Sequence, residues 1–256
     1  MKYREDDINK LLEITSRAGA MMLRNGAEIY RVEDTVERII RSIYEASDID
    51  VFATFNALIY SFNVDGRTYA NVKRVKNRGN NLIVVDKVNS FSRKFCNHEF
   101  SLDEALKELD KIKKTSKADV KLKIIGATLA STAFPMIVNS KTPNLLDLPV
   151  TFIVSLLTYL IFIKIEKKMY GYFIENFAAG IMVSLFAHLI GEFVFGFNMA
   201  NVIISSMMPY VPGFLLTNSI RDLMSGDSTS GLTGLAMSFF VSLALAIGVA
   251  FPMTLF

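Results

Sequence analysis

The charged residues of this chain lie mostly in its first half, and this split constrains the fold more than any other feature of the sequence. After Lys123, more than 130 positions contain only five Lys or Arg and six Asp or Glu residues. Charged side chains are costly in hydrocarbon, so long stretches without them are typical of membrane-spanning helices. We therefore expect two domains, a charged one at residues 1–117 and a membrane domain at residues 118–256.

The second half contains five apolar stretches near the length of about 20 residues that a helix needs to cross a bilayer. They are Leu122–Asn139, Val150–Ile165, Phe173–Val194, Met199–Leu216 and Leu232–Phe256. Basic residues such as Lys164, Lys167 and Arg221 lie at the span ends nearest the charged domain, whereas the opposite loops carry only Lys141. This bias predicts that the chain lies in the inner membrane with the charged domain in the cytoplasm and the carboxyl terminus on the opposite side.

The first half alternates between helical and strand periodicity. The pattern predicts two helices before Asp50, three strands from Asp50 to Val75, and two more helices after Leu82. Asp65-Gly66 between the second and third strands is a strong hairpin signal. The predicted fold class is an α+β cytoplasmic domain (ααβββαα) followed by an all-α membrane domain of five transmembrane helices.

The fourth apolar stretch is interrupted by Pro209, Pro212 and Gly213. Proline removes a backbone donor, so the helix should break or kink there. The interruption is followed at once by the polar residues Thr217, Asn218, Arg221 and Asp222. Transporters commonly build substrate sites at such broken helices, so a transport path is predicted here. The alternative is a kinked packing helix, with an ordinary Arg221–Asp222 salt bridge at the interface.

Two further ionisable residues lie inside a predicted span. His188 and Glu192 are one helical turn apart and would share a face, which suggests a proton relay. The alternative is that Glu192 lies in water and His188 bonds to a neighbouring helix. The two histidines and one cysteine of the chain cannot make a His/Cys zinc site, so no metal or other cofactor is predicted.

The charged half contains one polar set that is able to converge. Its members are Asn25, Gly26, Glu28, Arg31, Glu33 and Thr54. Backbone amides at the Gly26-Ala27 corner are suited to an anion or a carboxylate. No Ser-His-Asp or Cys-His arrangement accompanies them, so an enzyme is not expected, and a membrane hydrolase using Glu28 and Glu33 ranks behind other functions. Interleaved acids and bases also argue against a nucleic-acid partner.

The fifth span has small residues at four-residue steps. They are Gly234, Ser238, Ser242, Ala246 and Ala250. Small residues on one stripe let a second helix approach closely. The stripe is suited equally to packing within the chain and to packing against a second subunit.

Two stretches resemble one family. Residues 25–35, Asn-Gly-Ala-Glu-Ile-Tyr-Arg-Val-Glu-Asp-Thr, are similar to the amino-terminal motif of the threonine/serine exporter (ThrE-type) family, and residues 51–54 with Arg78-Gly79 fit the same pattern. Residues 208–213, 217–222 and 226–227 are similar to its membrane signature. The resemblance implies export of threonine and serine, and for the split form of the family, export of succinate.

The split form joins a larger subunit, which this chain resembles, to a smaller membrane partner that supplies the second half. Where some members are suggested to carry a Ser-Gly-Ala nucleophile motif, this chain has Asn25, which removes the obvious nucleophile. We expect an exporter subunit for threonine, serine or a related carboxylate, working with a smaller subunit or as a homo-oligomer. Because the chain has no P-loop, an ion gradient, first of all of protons, is the expected energy source. The alternative is a membrane-anchored sensor whose cytoplasmic domain binds a metabolite.

Overall fold

A computed structural model describes residues 5–43, 46–76, 79–115, 119–138, 144–168 and 170–255. The chain forms two compact units. The first contains Met1–Ala118 and Phe214–Leu235, and the second contains Asp119–Gly213 and Ala236–Phe256. The chain therefore returns to the first unit late in the sequence, after most of the apolar stretches.

The first unit is built from helices around a small sheet. Its elements are α1 (Glu5–Arg24), α2 (Ile29–Ile43), β1 (Ser47–Ala53), β2 (Ala57–Val64), β3 (Arg67–Arg74), α3 (Leu82–Cys96), α4 (Leu102–Thr115), α9 (Gly213–Met224) and the start of α10 (Ser228–Met253). The core includes Leu11, Ile14 and Ile40 of the helices, which are fully buried against β2. Burying each such side chain stabilises the fold by about 1.5–3 kcal/mol.

The sheet is antiparallel, in the order β1-β2-β3. Val64 pairs with Arg67 across the turn at Asp65-Gly66, and both turn residues have positive φ. The predicted hairpin is therefore confirmed. Tyr60 and Phe62 of β2 alternate towards the core.

The second unit is a helical bundle. Its elements are α5 (Val120–Val138), α6 (Asp147–Glu166), α7 (Tyr172–Gly191), α8 (Met199–Met207), a 3-10 turn (Met208–Tyr210) and the remainder of α10. The short helix α8 packs against α5, α6 and α7. Val154, Val183 and Val202 lie fully buried where α6, α7 and α8 meet.

The predicted fold class is wrong. The described residues are mostly helical, with ten α-helices and a single three-stranded sheet in the amino-terminal part. Four helices, α5, α6, α7 and α10, are long and apolar enough to cross a membrane. The fourth predicted span is instead two helical segments, Met199–Tyr210 and Gly213–Met224, bent by 58°. The structure has five spans only if this bent pair counts as one span. The bend is caused by Pro209 and Pro212, because proline cannot continue the first helical segment.

Several predicted positions lie outside the described residues. These are the domain boundary at 117–118, Arg78, Lys141, and the span ends Asn139 and Phe256. The cytoplasmic location of the first unit stays a prediction.

Candidate functional site

The first part of the site is the turn between α1 and α2. Gly26 has φ +88°, a left-handed conformation that glycine adopts without steric cost. Ala27 N–H donates to the Met22 carbonyl at 3.0 Å, and the Asn25 side chain donates to the Met21 carbonyl at 2.7 Å. These bonds end α1 and direct the chain into α2.

The late helix α9 contacts this turn. The Asn218 amide donates to the Gly26 carbonyl at 3.0 Å, and the Ile29 N–H donates to the Asp222 carboxylate at 3.2 Å. Asn218 and Asp222 are both buried. Asp222 therefore satisfies one of the free N–H groups at the start of α2, where a negative charge also interacts favourably with the helix dipole.

Glu28 joins the two motifs through an ion pair. One of its oxygens accepts from Arg31 at 3.1 Å, and the other accepts a short hydrogen bond from Arg221. Glu28 is 8% exposed, whereas the Arg221 side chain is 50% exposed. Burial by itself raises the pKa of Glu28, but bonds from its own backbone, Arg31 and Arg221 outweigh burial and leave the pKa lowered. The carboxylate is thus held ionised beside a guanidinium that solutes can still reach.

Glu33 and Thr54 form the neighbouring part of the site. Glu33 accepts from the Ala53 N–H at 2.8 Å, at the end of β1. The Thr54 hydroxyl accepts from the Ala57 N–H at 3.1 Å, so it supports the β1–β2 turn. Burial raises the pKa of Glu33, and the carboxylates of Asp227 and Asp222 raise it further. The site therefore contains both an ionised carboxylate and one that binds a proton more readily than usual.

Residues beyond the predicted set complete the site. Gly226, with φ +94°, ends α9, and the Asp227 N–H donates to the Asp222 carbonyl at 2.9 Å. The Asp227 carbonyl accepts from Gly231 at 2.9 Å at the start of α10. A Cβ on Gly234 would collide with the Ser219 hydroxyl, so α9 and α10 pack closely. The Gly226-Asp227 pair belongs to the membrane signature seen in the sequence, and Gly234 belongs to the predicted stripe of small residues, but neither was predicted to lie at this site.

The predicted site residues fall into separate groups. Asn25, Gly26, Glu28, Arg31, Glu33 and Thr54 lie in the first unit, as do Thr217, Asn218, Arg221 and Asp222. Pro209, Pro212 and Gly213 belong to the second unit. Arg221 pairs with Glu28, while Asp222 caps α2.

The remaining predicted pair, His188 and Glu192, also lies in the second unit. The His188 Nδ1 is 2.8 Å from the Ser184 carbonyl, and the Glu192 N–H donates to the His188 carbonyl at 3.2 Å. Glu192 is exposed at the end of α7. Within the described residues, no group of three or more His, Cys, Asp or Glu side chains is arranged to hold a metal ion.

A family model with the description "Putative threonine/serine exporter" (ThrE) matches residues 13–256. The match covers both halves of the cluster around Glu28 and the helices of the second unit. No curated protein and no solved structure matches the chain.

Proposed function

Since this chain belongs to the threonine/serine exporter family, we propose that it exports threonine and serine across the cell membrane. The family is a transporter class, not an enzyme class, and implies a small-molecule substrate. The long apolar helices fit a multi-pass membrane protein. Succinate, a related carboxylate, is a further proposed substrate.

One observation supports a specific site for the proposed function. Gly26, Glu28, Asn218, Arg221 and Asp222, hereafter the motif cluster, bring together two motifs that are separated by more than 190 residues. Three independent contacts join them, one of which is a charged pair with a buried carboxylate. A contact of this kind is suited to hold α9 until a substrate competes for it.

We assign Arg221 as the group that meets the substrate carboxylate. Its guanidinium has several donors in a planar fork that matches a carboxylate, and half of its side chain is exposed. When a substrate carboxylate takes the place of Glu28, Arg31 still balances the Glu28 charge. The ion pair between Glu28 and Arg221 of α9 is then broken while no buried charge is left unpaired, so the exchange costs less free energy than breaking an isolated buried pair.

We also propose that the broken helix lines part of the transport path. Pro209, Pro212 and Gly213 interrupt the backbone bonds between the two bent segments, and Thr217 lies exposed on the first turns of α9. Backbone freed in this way is tolerated at membrane depth where protein or water surrounds it. It then offers carbonyl groups to a substrate ammonium.

The energy source and the setting of the protein belong to the same proposal. An ion gradient, of protons first, drives export, and His188 with Glu192 forms a relay for the proton. The first unit is cytoplasmic, and the carboxyl terminus lies outside. A smaller membrane subunit, or a second copy of the chain, completes the transporter.

The test of the site is efflux by the Arg221→Ala variant. Cells preloaded with threonine by peptide feeding should lose it more slowly with this variant than with the wild type at equal membrane abundance. Arg38→Ala is the matched control, because Arg38 makes an exposed pair with Asp34 on α2, and such pairs contribute about 0.3–0.5 kcal/mol. Equal efflux by the Arg221 and Arg38 variants would refute the assignment.

A sensor function has one specific observation in its favour. A cavity of about 670 Å³ lies between α1, β3 and α4 of the first unit, within the range of small-molecule sites. Its charged lining residues are Glu13, Arg17, Arg24, Lys73, Asp110 and Lys113. The four cations outnumber the two carboxylates, so the cavity suits an organic anion. Binding of such an anion to the full chain, without efflux of any substrate, would favour the sensor.

A further inference from the structure

The second unit contains eight buried hydroxyl groups that make no hydrogen bond within the described residues. They belong to Thr128, Ser131, Thr151, Thr158, Ser184, Ser205, Ser206 and Tyr210, hereafter the hydroxyl layer. Each of these residues is at most 5% exposed. A buried hydroxyl that lacks a partner is destabilising, so eight in one bundle need an explanation.

Within the described helices, the hydroxyl groups of this layer do not make the intrahelical hydrogen bond that usually satisfies a buried serine or threonine. Serine and threonine in a helix commonly donate to a carbonyl one turn earlier. Thr132 does so on α5, with the Thr128 carbonyl at 2.7 Å, and Ser155 does so on α6, with the Phe152 carbonyl at 3.2 Å. The hydroxyls of Thr128 and Thr158 on the same helices make no such bond. They are therefore available to a group outside their own helix.

Contacts at both ends of α8 show that α6 and α8 run parallel. Asp147, at the start of α6, accepts from the Asn198 N–H at 2.7 Å and from the Asn201 amide at 3.0 Å. Further along, the rings of Tyr159 and Tyr210 lie with their centroids 6.2 Å apart and their planes tilted by 35°. Both intervals, from Asp147 to Tyr159 and from Asn198 to Tyr210, are twelve residues, or about 18 Å of helix.

This common register places Ser205 and Ser206 of α8 at levels between those of Thr151 and Thr158 of α6. Thr151 and Thr158 of α6 lie between the two contact levels, and so do Ser205 and Ser206 of α8. Ser184 stands twelve residues after the start of α7, which corresponds to the middle of α6 when consecutive helices run antiparallel. The hydroxyl layer therefore extends over about 10 Å along the bundle, on both sides of its middle.

The chemistry of the layer selects the kind of solute. None of the eight residues is charged, and the buried carboxylate of Asp147 at one end already accepts two hydrogen bonds. Hydroxyls both donate and accept, so together they suit a solute with no net charge and several polar groups. A zwitterionic amino acid with a hydroxyl of its own has this character.

We propose that the hydroxyl layer is the binding site of the second unit for a small zwitterionic hydroxy amino acid, and that it recognises the side-chain hydroxyl of that solute. This inference rests on the proposed export function and names the residues that would give it specificity. A site built to bond a substrate hydroxyl rejects the analogue that lacks it, because the protein hydroxyls are then left unpaired. Valine, which has the shape of threonine without the hydroxyl, is the analogue that separates the two cases.

The variants are Thr158→Val and Ser206→Ala in the full chain, with Ser155→Ala as control. Thr158→Val keeps the side-chain shape and removes only the hydroxyl, while Ser155 is equally buried on the same helix but bonds its own backbone. Threonine efflux should fall about tenfold in the first two variants, and the preference for threonine over valine should fall with it. The control should stay close to the wild type. Efflux and preference equal to the control in both variants would overturn the proposal.

A second readout separates this inference from the proposed function. Threonine added to the purified full chain should raise its melting temperature in the wild type and in Ser155→Ala, but not in Thr158→Val. Efflux that is unaffected by the variants refutes the hydroxyl layer and leaves export standing. A threonine-dependent shift that needs Thr158, without efflux, supports the layer and refutes export. If the wild type shows no efflux and no threonine-dependent shift, both the hydroxyl layer and the export function are refuted.

Discussion

At the scale of single residues, the motif cluster and its surroundings contain two carboxylates with different pKa shifts, Glu28 and Glu33. Glu28 is ionised between Arg31 and Arg221. Glu33 lies near Asp222 and Asp227, and burial together with these two charges raises its pKa. Because a group with a raised pKa holds its proton more tightly in the folded state, Glu33 favours folding less as the pH rises.

Glu33→Gln should therefore melt at a higher temperature than the wild type near pH 7.5. The difference should shrink as the pH falls towards 4.5, the ordinary pKa of this carboxyl group, and disappear below it, because Glu33 is then protonated in both the folded and the unfolded wild-type chain. The glutamine oxygen can still accept from the Ala53 N–H. The measurement is a series of melting curves of the purified protein across this pH range.

Glu37→Gln is the matched control for this pH effect. Glu37 lies on the same helix and makes an exposed pair with Arg41. Its replacement should change the melting temperature little at any pH. A Glu33 variant that melts below the wild type at pH 7.5, or whose difference from the wild type does not depend on pH, would contradict the raised pKa of Glu33.

At the scale of helices, the sequence predicted that small residues bring helices together, but it did not identify the contact face. Gly234 and Ser238 of the predicted stripe are buried, whereas Ser242, Ala246 and Ala250 are exposed. An α-helix has 3.6 residues per turn, so steps of four drift by about 40° each and leave any one face after a few steps. The stripe therefore describes a band that winds around α10.

The close approach in the second unit lies instead at Gly180 and Gly248. A Cβ on Gly180 would lie 2.5 Å from the Leu245 carbonyl and 2.9 Å from the Val249 nitrogen. These are backbone atoms, which cannot turn aside as a side chain does. Small residues at helix crossings of this kind are the main packing device within lipid.

Gly180→Ala should lower the stability of the protein by about 1–3 kcal/mol, because the added methyl group forces α7 and α10 apart. Gly126→Ala is the control, since a Cβ at Gly126 meets no atom within 4 Å. That replacement should be neutral or slightly stabilising, as alanine is favoured over glycine in a helix. Melting of the purified protein in detergent provides the comparison, and equal effects of the two replacements would refute the close crossing.

At the scale of the whole molecule, sequence periodicity predicted most helices and strands but not which of them belong to the same unit. Proline chemistry predicted the interruption at Pro209–Gly213, and the hairpin at Asp65-Gly66 followed from glycine's freedom at positive φ. Hydropathy, however, treats residues 199–216 as one stretch, whereas α9 is a separate helix that belongs to the first unit. A count of spans from apolar length alone therefore gave the wrong fold class.

The motif cluster could not be predicted from local sequence patterns, for a related reason. The two motifs were recognised separately, but the bonds from Asn218 to Gly26 and from Ile29 to Asp222 join positions more than 190 residues apart. Contacts of this range leave no periodic trace in a single sequence. The hydroxyl layer likewise needs the register of α6 against α8, which only the fold provides.

The most direct test of the central claim is efflux from cells preloaded with threonine and serine, with succinate followed in parallel. The chain is expressed alone, and together with a smaller membrane protein of the split type. We predict export of at least threonine or serine, lost in Arg221→Ala and kept in Arg38→Ala. No efflux of any of the three metabolites, with both proteins present in the membrane, would contradict the assignment of this chain as an exporter.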